Sequence, residues 1–343
     1  MVAMPRSLIT VDLAAVRHNV GVLRGHARGA ELWAVVKADG YGHGAVDVGG
    51  AAVAAGATAL GVATIGEALE LRRALPDCRI VLLGPAGPSE ARAARDARLE
   101  LCLSAAGSAP PDVPVHLKLD TGMGRWGLSE LAAPGAGVVG LMSHFATADT
   151  DLAFAQEQLD RFLDATGPYA HLTRHIANSA ATLRLPSAHL DAVRCGIAIY
   201  GISPFGAVPA ADRLRPALRW ESTVALVKTL GAGESTGYGR MFVASEPTRI
   251  GIVPVGYADG FRRDMSGTDV VVAGSPARVI GTVSMDALAV ALPDAAGEGD
   301  TVTLIGDGAP IEAHALVSGT IPYEIACGIA SRAARAEREV VDE

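Results

Sequence analysis

The chain has 343 residues, half of them hydrophobic but only 4% aromatic, with 29 Lys and Arg against 37 Asp and Glu. The net charge of −8, unrelieved by any basic cluster, argues against a nucleic-acid or anionic-membrane partner. With no apolar run of membrane-spanning length and no apolar signal core near the amino terminus, a cytoplasmic location is expected.

Residues 8–11 read as a strand. Eight short apolar runs follow, over 32–37, 59–63, 80–84, 101–104, 115–120, 138–145, 175–179 and 193–200. Several precede stretches whose apolar residues recur at three- and four-residue intervals, which predicts helices over 45–55, 66–75, 89–97 and 154–164. Alanine, valine and leucine would fill the core, which suits helices packed on a buried parallel sheet. The pattern predicts a (β/α)8 barrel. The connections 105–113 and 130–136 are short and rich in Ala, Gly and Pro, so the outer ring is expected to be incomplete there. From about Pro216 the segments 222–230, 249–255, 269–272, 277–283 and 300–305 are strand-like and divided by turn residues. Stretches 311–317 and 323–329 are helix candidates. The expected organisation is therefore a TIM-like barrel over residues 1–215 and a C-terminal, mainly β domain over residues 216–343. Cys78, Cys102, Cys195 and Cys327 are far apart and form no C-x-x-C pair, which fits reduced thiols and neither a zinc site nor a disulfide framework.

Three segments carry candidate chemistry. Lys37 ends an apolar strand, where barrels place their active sites, and desolvation there would make its amine a usable nucleophile. A lone lysine at a strand end is ordinarily a snorkelling surface group; the glycine-rich sequel with Tyr41 and His43 weakens that alternative without removing it. Lys118 and Asp120 share one strand face, and Arg125 follows a flexible turn as a natural fork for a carboxylate, although a plain surface ion pair fits this segment equally well. Arg194 opens an apolar segment in which Gly196 and the next backbone N–H are suited to phosphate oxygens; an exposed strand-edge arginine is the alternative. His144 and His175 also fall at strand ends, where a lone histidine is more often structural. The residues alone support a barrel enzyme for an anionic small molecule, with Lys37 a candidate for a covalent adduct.

Taken together, these segments resemble the alanine racemases, fold-type III pyridoxal phosphate enzymes. The likeness runs through A-V-V-K-A-D-G-Y-G-H-G at 34–44, L-K-L-D-T-G-M-G-R-W-G at 117–127, S-H-F-A-T-A-D at 143–149, H-I-A-N-S-A-A at 175–181 and V-R-C-G-I-A-I-Y-G at 193–201. It continues through G-Y-G at 237–239, V-G-Y-A-D-G at 255–260, S-M-D at 284–286 and Y-E-I at 323–325. The lysine motif is moderately specific; the ordered set is highly specific.

The resemblance implies a pyridoxal 5′-phosphate-dependent racemase acting on alanine by two bases, assembled as a head-to-tail homodimer with shared sites. Lys37 matches the lysine that carries the cofactor, and Tyr238 matches the tyrosine that enters the partner's site. Arg125 and the backbone N–H of Met285 match the groups that hold the substrate carboxylate. Tyr41, Ser179, Gly196, Ile197 and Tyr323 match phosphate ligands, and Arg194 matches the partner of the pyridine nitrogen, with His175 behind it. Lys118 matches an often carbamylated lysine, and His144 a histidine beside the catalytic phenol. Thr282 departs from the pattern, standing where many relatives have arginine at the edge of the substrate passage, whereas Asp149, Arg263 and Ile321 match other passage residues. A preference for another small amino acid such as serine, a decarboxylase of the same fold type, and a non-catalytic pyridoxal phosphate carrier are the rival readings. The carrier would be a single barrel without Tyr238 and Met285.

Overall fold

Runs of alanine, valine and leucine between helices are what a parallel sheet buried on both faces requires. The computed structural model, which describes residues 5–104, 112–206, 209–329 and 332–342, forms such a sheet. Its eight strands are Glu31–Val35, Ala59–Val62, Ile80–Leu82, Glu100–Leu103, Val115–Lys118, Val138–Met142, Thr173–His175 and Ala192–Cys195. All seven pairings are parallel, with the last strand beside the first. Between the two edge strands, Asp191 N–H donates to Arg174 O at 3.1 Å and Arg194 N–H to Ala177 O at 2.9 Å, nearly closing a TIM-like barrel. Trp33, Ala59, Val81, Cys102, Met142 and Ala192 form one buried cluster of this unit.

The expected helices form at Ala45–Ala54, Ile65–Ala74, Ala91–Asp96 and Leu152–Thr166. Two starts have clear local causes. Thr64 accepts from Glu67 N–H while the Glu67 carboxylate reaches back, a capping box, and the Asp151 carboxylate accepts from the N–H groups of Ala153 and Phe154. No helix forms over 130–136, as expected; the other thin connection, 105–113, lies largely outside the described residues. Two apolar runs end sooner as strands than the sequence suggested. The seventh strand stops at His175, and Asn178 then caps the short helix Ser179–Arg184. The eighth stops at Cys195, and Ile197–Tyr200 is a buried 3-10 turn.

The barrel unit spans Ala14–Arg215, and the second compact unit joins Pro216–Glu343 to Met1–Leu13. The first strand, Leu8–Asp12, is thus not a barrel strand, although the sequence reading kept it with residues 1–215. It pairs antiparallel with Leu218–Thr223 and parallel with Glu337–Val341. The second unit is mainly β, a nine-stranded sheet with the short helices Ile311–Val317 and Pro322–Gly328. The fold class is therefore a barrel unit plus a mainly β unit. Among the described residues no helix is long and apolar enough to cross a membrane.

Candidate active site

Lys37 follows the first barrel strand at its C-terminal end, on the face where barrels build their sites. The chain after it makes an uncommon turn. Ala38, Asp39, Gly40 and Tyr41 all have φ between 49° and 62°, a left-handed run of which only one residue is glycine. Each non-glycine residue there costs about 1–2 kcal/mol, so the surroundings must hold the turn in place. They do so through carboxylates. Glu67 accepts from the N–H groups of Ala38, Ala63 and Thr64, and Asp39 accepts from Ala45 N–H. The turn delivers Tyr41 inward, with its ring 5.0 Å from that of buried Tyr200, whose hydroxyl donates to Val35 O at 3.0 Å.

Tyr41 meets Gly196, just past the last strand. A Cβ on Gly196 would lie 2.5 Å from the Tyr41 hydroxyl, so the position must stay bare. Gly196 N–H donates to the Ser179 hydroxyl at 3.0 Å. The N–H of fully buried Ile197 finds no acceptor among the described residues. A buried amide without a partner is rare and costly, and beside a hydroxyl and a phenol it makes an anion cradle. Ser179, Tyr41, Gly196 and Ile197 thus come together as expected, and they fit a phosphate.

Arg194 is 3% exposed and is no strand-edge surface group. Its guanidinium contacts His175 Nδ1 at 2.6 Å, Ser143 O at 2.7 Å, Ile176 O at 3.2 Å and His144 Nδ1 at 3.2 Å. No carboxylate pairs with it among the described residues. Burial pulls its pKa down to about 10, which leaves it a cation at neutral pH. Burial and then the Arg194 charge hold both His144 and His175 well below the usual imidazole range. Both rings are neutral acceptors at Nδ1.

Lys118 is buried at the end of its strand. Burial, then Arg194 and Arg125, lower its pKa to about 8. Its ammonium and the Arg125 guanidinium both lie over the Trp126 ring, at 5.6 and 5.5 Å from the centroid. Asp120 is no partner for them in a surface pair. Its Oδ1 accepts from the N–H groups of Gly122, Met123 and Gly124 and shapes the loop that carries Arg125.

Tyr238, Met285 and Tyr323 belong to the β unit. Tyr238 is 70% exposed on the turn Gly237–Tyr238–Gly239, where a Cβ at Gly237 would approach Thr282 N to 2.8 Å. Thr282 also donates its hydroxyl to Tyr238 O at 2.8 Å, so it helps hold the tyrosine turn. Tyr238, Met241, Tyr257, Arg263 and Thr282 line an open groove of about 970 Å³. Met285 is 52% exposed, and its N–H makes no hydrogen bond among the described residues. The loop around it is tied down. Asp259 accepts from Gly256 N–H, Arg6 and Arg335, and Arg335 also reaches Asp286.

The sequence reading overlooked these anchors, and it overlooked His116 and Glu100. His116 donates to Glu100 at 2.8 Å and contacts His175 at 2.9 Å. The two-residue strand period that grouped Lys118 with Asp120 also places His116 on that face.

A barrel whose strand ends gather a lysine, a buried arginine and an anion cradle defines a class, the barrel enzymes that work on a small anionic ligand. The family models specify it further. The model described as alanine racemase, N-terminal domain, matches residues 11–204, and that for the C-terminal domain matches residues 217–337. The chain belongs to the alanine racemase family. It is 42% identical to the alanine racemase of Laribacter hongkongensis, over 95% of this chain and 97% of that one. The alanine racemase structure from Streptomyces coelicolor superposes with a TM-score of 0.88 at 41% identity, covering 98% of each chain. That of the biosynthetic enzyme from Pseudomonas aeruginosa gives 0.90 at 36% identity, over 98% of this chain and all of that one. A Bacillus anthracis alanine racemase solved with bound L-Ala-P gives 0.87 at 32% identity, over 99% and 96%.

Proposed function

We propose that the chain is a pyridoxal 5′-phosphate-dependent racemase that interconverts L- and D-alanine in the cytoplasm. The observation that carries this reading is the cradle at the barrel strand ends, where the orphan Ile197 amide, Ser179 and Tyr41 lie near a buried, carboxylate-free Arg194. Tyr41, Ser179, Gly196, Ile197 and Tyr323 would hold the phosphate, Lys37 the carbonyl end, and Arg194 the ring nitrogen. When bound, the cofactor supplies an electron-withdrawing ring that makes the α-proton of an attached amino acid removable.

The protein's own groups then supply the rest. Arg125 and the free Met285 N–H grip the carboxylate and so keep it from being lost, which counts against the decarboxylase reading. Arg194 donates a hydrogen bond without surrendering a proton, so it leaves the ring nitrogen unprotonated. Racemisation needs a proton acceptor on one face of the α-carbon and a donor on the other. Lys37 Nζ serves one face and Oη of Tyr238 of the partner subunit serves the other. The exposure of Tyr238, Met241 and Met285 supports a homodimer whose second subunit covers them. The test is racemisation of L-alanine, L-serine and L-lysine by the purified protein with added cofactor. Alanine is expected to turn over fastest, and release of carbon dioxide without racemisation would overturn the reading.

Lys118 is expected to carry a carbamate on at least part of the molecules. With its pKa near 8, its free amine is populated at neutral pH and grows as pH rises through that value. The amine adds to carbon dioxide, forming an N–C bond and releasing a proton, and the resulting anion pairs with Arg125 in place of a repelling ammonium. A crystal grown with bicarbonate at pH 8 or above should show the added carboxyl density. A bare Lys118 there would remove the claim.

A further inference from the structure

Behind Arg194 a chain of hydrogen bonds runs through the barrel interior toward the opposite strand ends. Arg194 meets His175 Nδ1 at 2.6 Å, His175 Nε2 meets His116 Nδ1 at 2.9 Å, and His116 Nε2 meets Glu100 Oε2 at 2.8 Å. Both histidines are completely buried, and Trp33 packs on them at centroid distances of 4.4 and 5.5 Å. Space has been cleared for this chain. A Cβ on Gly140 would lie 2.1 Å from His116 Nδ1. At the far end Arg79 holds Glu100 through two bonds of 2.7 and 2.9 Å and Glu31 through one of 2.8 Å.

The direction of the chain follows from donor chemistry alone. A guanidinium has no acceptor, so His175 Nδ1 must be bare and its proton must sit on Nε2. His175 then donates to His116, whose Nδ1 must also be bare, and His116 donates from Nε2 to Glu100. Glu100 has to be the carboxylate, and it is. Burial would raise its pKa, but the His116 and Arg79 hydrogen bonds outweigh that and bring it down to about 2. One extra proton on His116 would point two donors at each other, and so would the reversed tautomer. Among the described residues the strand-end arginine has no carboxylate of its own, and the polarised imidazoles connect it to one.

We propose that Glu100 and His116 are positioning residues for the cofactor site, holding in place the His175 ring, in the Nε2–H form that Arg194 requires, so that its Nδ1 orients the cationic Arg194. The proposal rests on the reading that Arg194 faces the cofactor's ring nitrogen. It assigns a task to residues at the N-terminal end of the barrel, where substrate does not bind. Glu100→Gln keeps the shape but removes the anionic acceptor at the end of the chain, so the hydrogen bond from His116 weakens and the hold on His175 loosens.

The test uses protein labelled with nitrogen-15 in histidine, read by long-range proton–nitrogen correlation. In wild-type apoprotein both rings should carry their proton on Nε2, with Nδ1 bare. Adding pyridoxal phosphate should shift the His175 nitrogens. In Glu100→Gln the weaker, uncharged acceptor at His116 Nε2 should shift the nitrogen resonances of both rings while His175 keeps the tautomer that Arg194 imposes. Turnover should fall about tenfold with KM for alanine nearly unchanged, the scale on which supporting partners act, and Glu100→Asp should restore part of it. A protonated Nδ1 or an imidazolium at either ring in the wild type would overturn the proposal, even if every variant failed to fold. So would Glu100→Gln with unchanged histidine spectra. If the tautomers are as stated but the cofactor leaves His175 unmoved, the Arg194 assignment fails instead, and the chain no longer serves the cofactor.

Discussion

Lys37→Ala is expected to abolish racemisation, with a loss on the order of ten-thousandfold, while the protein stays folded. Two contributions vanish together. One is the covalent hold on the cofactor, and the other is proton transfer on one face of the substrate, which alone is worth about a hundred- to ten-thousandfold. Stability should change little, because backbone N–H groups donating to Glu67 and Asp39 brace the left-handed turn after Lys37. The measurements are the rate of D-alanine formation and the thermal midpoint. A companion experiment locates the adduct. Borohydride reduction of the wild type followed by peptide mapping should place the pyridoxyl label on Lys37. A label on another lysine would sink the assignment, because Lys37 would then be only a strand-end residue.

Some of this site was legible in the sequence because its physics is local. A parallel strand buried on both faces must be an apolar run, and its end can be read where Lys37 or Lys118 interrupts the run. An apolar run does not say where extended backbone stops, however. The run over 193–200 reads as one strand, yet Gly196 takes φ −104° and ψ −99° and the chain turns into Ile197–Tyr200. That break brings the Ile197 N–H beside Gly196, Ser179 and Tyr41, the proposed phosphate cradle. The helix Leu13–Ala27 went unread although Val16, Val20, Leu23 and Ala27 make an apolar stripe. Polar Asn19 interrupts it, and its burial makes sense only once its amide is seen bonding Ile199 O and Arg215 O. The strand period puts His116 on the face of Lys118, but nothing local links Arg194 to Glu100. His116 lies 16 residues from Glu100 and 59 from His175, and barrel closure alone brings them together. The anchoring of Met285 through Asp259, Arg335 and Asp286 was hidden for the same reason. Family resemblance could name Met285, but not what holds it.

Tyr238→Phe is expected to cost about a hundredfold or more in turnover, because on the proposed mechanism it removes one of the two proton-transfer groups. Cofactor binding should survive, since the cradle residues Tyr41, Ser179, Gly196 and Ile197 belong to the barrel unit. Free tyrosine keeps its proton at neutral pH, so the phenol needs help to act as a base. His144 is suited to that task. Its Nδ1 is occupied by the Arg194 guanidinium, which leaves the proton of the neutral ring on Nε2, ready to donate to a developing phenolate. The dimer supplies the stricter test. If Tyr238 of the partner subunit completes the site, mixing inactive Lys37→Ala with inactive Tyr238→Phe should restore activity. Each hybrid dimer then holds one site with both residues intact, and neither parent dimer holds any. With random exchange half of the dimers are hybrids carrying one of two sites, so recovery should approach about a quarter of the wild-type rate per subunit. If subunits demonstrably exchange and no activity returns, Tyr238 does not act across the interface. A nearly wild-type Tyr238→Phe enzyme would be more damaging, because the second proton-transfer group would have to be sought elsewhere in the site.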